Sequence, residues 1–422
     1  MTRNNPWMFL ASLMLTIQTA ATQPQWRTLP GSPSTPRHED VWFINPLIGW
    51  IVNGSGQIYK TTSGGIGWQL QFEAPEYLRC VGFADSMRGW VGTLSGANPM
   101  YQTTNGGVTW TLVQNIPEPR PDGICGIWVV NDSVTYASGE YDGPARVIKT
   151  TDRGATWTSV DLAAYAGALV DCYFLNEDSG FVVGSVSYPL AGPARILFTS
   201  DGGQSWSVQH SGSNGLCWKI SFPSANVGYV SVEFSNNLLK TTDRGATWTE
   251  LMFAWGNQQG IGFVNDTLGW IGGSGNPTYG SSNGGLSWQQ TPFGVEINRF
   301  RFLGDTLGYA VGQRVYKYSR DTTSVPVGES PMETVFSFKL HQNYPNPFNP
   351  TTNIEFQIPK SEFVSLKVFD VLGRMVRTLV NGKKEPGRHR VQFNAEGLPS
   401  GVYFYNLTAG SSMQTQKLMM LR

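Results

Sequence analysis

Three aspartates, Asp152, Asp201 and Asp243, stand at the same point of a repeated phrase. Carboxylates in a regular array are the usual material of general acid–base catalysis. The phrase that carries them occurs six times and always ends in tryptophan: TTSGGIGW (61–68), TTNGGVTW (103–110), TTDRGATW (150–157), TSDGGQSW (199–206), TTDRGATW (241–248) and SSNGGLSW (281–288). The other three copies place Ser63, Asn105 and Asn283 where the aspartates stand. Ser and Asn cannot replace a carboxylic acid or a carboxylate nucleophile, but all three residue types hydrogen-bond their own turn backbone. The position therefore serves a turn, and catalysis by the aspartates is excluded. Glycine is invariant at the fifth place of the phrase, where the turn calls for an unusual backbone angle. Trp68, Trp110, Trp157, Trp206, Trp248 and Trp288 are expected to pack beneath it.

Other reactive side chains are as sparse. Cys80, Cys125, Cys172 and Cys217 are spaced by 45, 47 and 45 residues, one per repeat. A metal site needs closer pairs. The spacing predicts buried thiols in inner strands, with a disulfide between neighbouring repeats as the alternative. His38, His210, His341 and His389 show no metal spacing. No nucleophile elbow, P-loop or dinucleotide fingerprint occurs, so no cofactor is called for. A glycosidase needs two carboxylates across a cleft. Asp122, Asp142 and Asp171 are available, but nothing in the sequence pairs them.

The elements that would position these residues follow from the repeat. The Trp-to-Trp steps are 42, 47, 49, 42 and 40 residues, a period that marks a ring or stack of one supersecondary unit. A second phrase precedes each box: an aromatic or apolar residue, then Gly and another aromatic six positions on. Phe43 leads to Gly49-Trp50, Phe83 to Gly89-Trp90, Phe174 to Gly180-Phe181, Phe222 to Gly228-Tyr229, Phe263 to Gly269-Trp270 and Phe302 to Gly308-Tyr309; Val129 and Thr135-Tyr136 form a degenerate copy. Each unit parses as four short strands, the signature of a propeller blade. The seventh unit ends at Val315–Ser319 without a box, while Trp26-Arg27-Thr28-Leu29 stands unassigned ahead of the first. The expectation is an all-β chain: a seven-bladed β-propeller over residues 24–320, its last blade closed by the N-terminal strand.

The 422 residues include 30 Lys+Arg and 30 Asp+Glu. Residues 337–422 hold 11 basic and 5 acidic side chains, a charge of +6, which leaves −6 on the remainder. A neutral to acidic body argues against nucleic-acid binding. Arg3, the apolar run from Trp7 to Ile17 and Thr19-Ala20-Ala21 read as a signal peptide over residues 1–22. No later stretch is apolar enough for a transmembrane helix. Residues 321–336 read as a linker, and residues 337–422, with alternating strands and Pro/Gly turns, as a small immunoglobulin-like β-sandwich.

The tryptophan phrase resembles the Asp-box, or BNR, repeat of sialidases, sortilin-type receptors and xyloglucanases. Together with the Phe…Gly-Trp phrase it is most similar to the photosystem II stability/assembly-factor family of seven-bladed propellers, a resemblance that implies protein binding. NYPNPFNPTT (343–352), VFDVLGR (368–374), LPSGVYFY (398–405) and the terminal Lys417 resemble the type A C-terminal sorting domain of the type IX secretion system. That resemblance implies export across the outer membrane, recognition by the secretion machinery through residues 337–422, and tail cleavage with attachment to surface polysaccharide.

In such a propeller the D-to-A and B-to-C loops gather on one face, and ligands favour variable loops. On this reading that face carries Tyr77, Arg79, Arg120, Asp122, Tyr141, Arg146, Tyr188, Arg195, Trp255, Arg299 and Arg301, with Asp142 and Tyr165 beside them. Aromatics beside Arg stack on sugars or anchor a protein surface. The Arg triad and Arg-Ile-Pro signature of sialidases are not found. The expected function is a secreted or cell-surface, non-enzymatic propeller that binds a protein or polysaccharide. The rivals are an extracellular glycoside hydrolase, sialidase-like or xyloglucanase-like, and an envelope assembly factor.

Overall fold

The computed structural model describes residues 23–320, apart from 34, 95–98, 188–191 and 254–255, and residues 338–421, apart from 344–345, 359–360, 385–386 and 411. The expected signal peptide and linker lie outside them, as do Tyr188 and Trp255. The chain divides into two units, Met1–Thr323 and Ser324–Arg422.

In the first unit the described strands form seven four-stranded antiparallel sheets. The inner strands are His38–Phe43, Leu78–Phe83, Gly126–Val129, Ala168–Phe174, Leu216–Ser221, Gln258–Phe263 and Arg299–Phe302. Six sheets are continuous in sequence. In the seventh, Gln25–Thr28 pairs with Val315–Ser319, Trp26 opposite Tyr318, and supplies the outer strand. Joining the first residues to the last strand removes an open edge where the ring would otherwise part.

The Phe…Gly-aromatic phrase now has a physical account. Phe43 lies directly across from Gly49 in the register of the first sheet. A Cβ on that glycine would come within 2.5 Å of the ring. Gly89, Gly180, Gly228, Gly269 and Gly308 meet Phe83, Phe174, Phe222, Phe263 and Phe302 in the same way, at 2.2–2.6 Å. Glycine is required because the cross-strand ring occupies the place of its side chain. The aromatic that follows the glycine, or follows Thr135 in the degenerate copy, reaches the next blade. Trp50 stacks on Phe83 at 3.5 Å, Tyr136 on Phe174 at 3.5 Å and Tyr229 on Phe263 at 3.6 Å. Tyr309 of the last blade stacks on Phe43 of the first at 3.6 Å, so the ring closes with the same contact. Each such pair adds about 0.5–1.5 kcal/mol beyond the area it buries.

The boxes are local turns. Thr150 Oγ1 accepts from Gly154 N at 2.8 Å, and Asp152 Oδ1 accepts from Thr156 N at 2.8 Å. Asn105 and Asn283 accept from Thr109 N and Ser287 N at 2.9 and 3.0 Å, and Ser63 Oγ accepts from Gly67 N at 3.0 Å. The box tryptophans stand edge-on to the inner-strand rings, Trp68 to Phe43, Trp110 to Phe83, Trp206 to Phe174 and Trp288 to Phe263. Trp157, whose blade has Val129 in place of a Phe, meets Trp90 instead, and Trp248 meets Phe181 and Phe222. The seventh blade has Trp26 in this role, edge-on to Trp270 and Phe302.

The second unit has two sheets. One orders Lys339–Leu340, Thr351–Ile358 and Gly387–Asn394; the other orders Met375–Lys384, Glu362–Phe369, Gly401–Ala409 and Ser412–Met420. Ile354, Phe356, Val364, Leu366, Phe393, Tyr405 and Leu407 fill the space between them. Phe348 is buried and hydrogen-bonds with the last strand through Met419 O and Leu421 N, both at 3.0 Å. Tyr405 OH accepts from Asn343 N and donates to His341 O, both at 2.7 Å, so the aromatic strand holds the proline-rich segment.

Candidate functional site

Seven inner strands surround the propeller axis, and they carry charge where a core is normally apolar. Five of them contain a β-bulge near the N-terminal end, here the upper end, between His38/Asp40, Leu78/Cys80, Leu169/Asp171, Cys217/Lys219 and Gln258/Ile261. A bulge sets two residues against one on the partner strand and breaks strict alternation. Glu39 and Asp40 are neighbours in sequence, yet both are fully buried and both join the axial network.

Near the upper end, Glu39 accepts from Arg37 at 2.6 Å, from Asn298 Nδ2 at 2.9 Å, and in short contacts from Arg79 and the Tyr77 hydroxyl. Arg79 lies 4.6 Å over the Trp218 ring, and Trp218 Nε1 donates to Asn298 Oδ1 at 2.8 Å. Arg37 also donates to Gln259 at 2.7 Å, and Gln259 Nε2 donates to Glu233 at 2.5 Å. Halfway down, Arg299 reaches from the seventh blade to Asp171 of the fourth with two parallel hydrogen bonds of 2.8 and 2.9 Å. Its Nε lies 3.0 Å from Asp40. Asp40 and Asp171 also accept the backbone amides of Val81 and Ile220 in the next blade, at 3.2 and 3.1 Å. At the lower end Arg301 stacks 4.5 Å over Trp42 and 5.4 Å over Trp128. The axis is therefore filled by paired charges and rings.

The electrostatics follow from burial and pairing. Burial alone would raise the Asp171 pKa, but Arg299 and Lys219 outweigh it and hold it at about 2. Burial likewise acts against Glu39, and Arg79 and Arg37 bring its carboxyl below the usual range. Both stay ionised at neutral pH and can only accept. Lys219 is fully buried beside Arg299; burial and that charge lower its pKa to about 7. Burial, a hydrogen bond with Asp142 and the charges of Asp142 and Asp122 raise Glu140 to about 9. Burial raises Glu233 to about 7 against the Gln259 hydrogen bond.

These contacts redistribute the residues expected on the ligand face. Arg79 and Arg299 are buried in the axial network, and Arg301 is sandwiched below it, so none of the three stands on an open rim. The reason is pairing. An arginine in an inner strand meets Glu39, Asp40 or Asp171 across the axis before it meets solvent. Asp171 is consumed in the same way. Arg146 is held by Asp161 at 2.5 Å, and Arg195 donates to Tyr165 O at 3.1 Å. Tyr141 packs beside Cys125 and Trp218. Tyr77, Arg120, Asp122, Asp142 and Tyr165 remain exposed. The same topology adds Phe234, 50% exposed at positive φ in the fifth blade's B-to-C loop, and Met252 at the end of that blade's outer strand. Glu39, Asp40, Lys219, Asn298, Glu140 and Glu233 were not singled out in the sequence. Charged residues inside apolar strands, as in HEDVWF and LCWKIS, are the signal that finds most of them.

All four cysteines are free and buried. Burial raises Cys125 and Cys172 to about 11 and about 12, which leaves them unreactive thiols. Among the described residues no group of three or more His, Cys, Asp or Glu side chains is placed to hold a metal. No helix among them is long and apolar enough to cross a membrane.

Residues 342–421 match the family "Secretion system C-terminal sorting domain". The tail is a sorting domain. The chain that carries it is exported, to the outer-membrane surface or the extracellular space. No curated protein matches the sequence. Among solved structures, YCF48 bound to D1 peptide aligns with 71% of this chain and 98% of its own at a TM-score of 0.56 and 17% identity; YCF48 from Cyanidioschyzon merolae aligns equally well. An ancestral GH74 enzyme aligns over 94% of this chain and 64% of its own, with a TM-score of 0.53 and 14% identity. The extracellular domain of BT4673 from B. thetaiotaomicron aligns over 96% of this chain and 59% of its own, with a TM-score of 0.52 and 10% identity. At these identities the likeness is one of fold. The first unit shares the β-propeller fold of these structures.

Proposed function

We propose that the exported chain is a binding module without catalytic activity, whose propeller holds a protein ligand on the face formed by its D-to-A and B-to-C loops. The observation that carries this reading is the state of the axial carboxylates. Glu39, Asp40 and Asp171 are each engaged by arginine and buried, so none can deliver a proton or attack a substrate. What stays exposed in the loops of that face is aromatic and apolar with scattered charge: Tyr77, Tyr165, Phe234, Met252, Arg120 and Asp122. Aromatic anchors with a polar rim suit a protein surface. The YCF48 structure with a D1 peptide supports the same use of the fold.

The second reading, a glycoside hydrolase, draws on Glu140, a carboxyl that burial and the nearby Asp142 and Asp122 keep neutral at pH 7. Against it, Glu140 is hydrogen-bonded to Asp142. Glycosidase pairs stand about 5–5.5 Å or about 6.5–9.5 Å apart, too far for that bond. The test is capture of partners from cell-surface extracts by the purified chain and by Tyr165→Ser/Phe234→Ser, with a glycan panel run in parallel. The reading expects a protein partner whose retention falls roughly tenfold in the variant, and unchanged glycans. Glycan cleavage lost in Asp142→Asn would replace it with the hydrolase.

A further inference from the structure

The sorting domain carries a surface that its own fold leaves uncovered. In the four-stranded sheet, Val364, Leu366, Val368, Tyr403, Tyr405 and Leu407 point into the core. The alternate residues form the outer face, where Phe369 stands across from Met375 on one side and Phe404 on the other. The turn that follows Phe369 continues this apolar surface. Asp370 Oδ1 accepts from Leu372 N and Arg374 N, both at 2.9 Å, and Oδ2 from Arg374 Nε at 2.7 Å. Gly373 takes a φ of 75°. This clasp fixes the turn with Val371 and Leu372 at its tip, 65% and 73% exposed. Turn tips are ordinarily polar, because apolar side chains there gain nothing from the fold. Beside the turn, Phe369, Phe404 and Met413 line an open recess of about 490 Å³.

We propose that this turn and recess are the part of the sorting domain read by the export machinery, and that the reading component is a protein surface with an apolar projection set among acidic residues. The proposal rests on the sorting role of residues 342–421. The charge of the partner follows from the rim. Lys417 stands across from Phe404 and Lys367 across from Asn406 two residues along the same face, while Arg374 and Asp370 pair with each other within the turn. The region from 337 on is +6 overall. A turn clasped by three hydrogen bonds loses little freedom on docking, so its apolar area counts towards affinity. The recess is shallow and open, and the sorting role of the domain favours a protein reader over a lipid surface.

The test uses the full chain in a bacterium with a type IX system and measures the exported fraction against the periplasmic fraction. Leu372→Asp/Phe404→Asp should cut export roughly tenfold or more, the size expected when central apolar anchors are lost. Lys367→Glu/Lys417→Glu should reduce it less. Both should melt like the parent once purified. If the double aspartate variant melts lower, Val371→Ser/Leu372→Ser, confined to exposed side chains, replaces it. Deletion of 342–421 separates the two levels of the argument. If the deletion abolishes export and the surface variants export normally, the proposed surface is wrong. If the deletion also exports normally, the sorting role itself is wrong. A parent dimer that the aspartates dissociate, or binding to phosphatidylglycerol vesicles that they abolish, with export unchanged, would assign the surface to a second copy or to lipid and overturn the proposal.

Discussion

Asp171→Asn changes one atom in a fully buried carboxylate and tests whether the axial network holds the ring together. Asp171 takes both terminal nitrogens of Arg299 at 2.8 and 2.9 Å and the Ile220 amide at 3.1 Å. The amide keeps the shape and one acceptor but removes the charge. Breaking a buried ion pair costs about 3–5 kcal/mol, because the remaining charge stays in low dielectric. Arg299 retains Asp40 at 3.0 Å, so the lower end of that range applies, about 3 kcal/mol. In a domain of this size that corresponds to a fall in Tm on the order of 5 °C. Thermal melts followed by tryptophan fluorescence read the first unit, whose blades share the box rings. Removing both partners in Asp171→Leu/Arg299→Leu should cost less than the two single changes together, by at least about 1 kcal/mol. The pH dependence has a definite sign. The folded pKa, about 2, lies below the unfolded value. The stabilisation is thus fully present above pH ~4 and is lost as the pH falls towards about 2, so the gap between parent and variant should close over that window. A Tm loss below about 2 °C at pH 7, or strict additivity of the two leucine changes, would refute the idea that this pair braces blades four and seven.

Asp243→Asn should melt like the parent and Asp243→Ala lower, because Asn105 and Asn283 already make the same turn bond; neither change should affect ligand capture. Gly245→Ala should destabilise the chain well beyond the roughly 1–2 kcal/mol of a left-handed alanine, since its Cβ would come within 2.3 Å of Phe181, whereas Gly275→Ala, also at positive φ but in open space, should cost only the conformational part; chemical denaturation separates the two. Lys219, lowered to about 7, binds fewer protons folded than unfolded between about pH 7 and 10. Parent stability should therefore gain a rising contribution across that range, and Lys219→Met should lack it in melts at pH 6, 8 and 10.

The parts of the fold that could be read in the residues are those made by contacts within one repeat. The box closes on itself through bonds from Thr150 to Gly154 and from Asp152 to Thr156, so eight residues contain both the signal and its cause. The Phe-to-Gly spacing of six is the length of one hairpin, which is why Phe43 faces Gly49. The site was less legible. Arg79 and Arg299 were expected on an open face, but their partners lie 40 and 128 residues away in other blades. Phe234 gave no signal because a single aromatic in a loop looks the same whether it is covered or exposed.

From the sequence alone came the repeat, the all-β class, the count of seven units and the turn role of the box aspartates, because each depends on periodicity or on neighbours within a few residues. The tertiary structure decided which charged residues meet. Closing seven sheets into a ring brings inner strands from opposite blades to within a side chain's reach, and the bulges turn adjacent residues such as Glu39 and Asp40 into one network. No pattern along the chain encodes a contact between blade four and blade seven; only the closed ring brings Asp171 to Arg299.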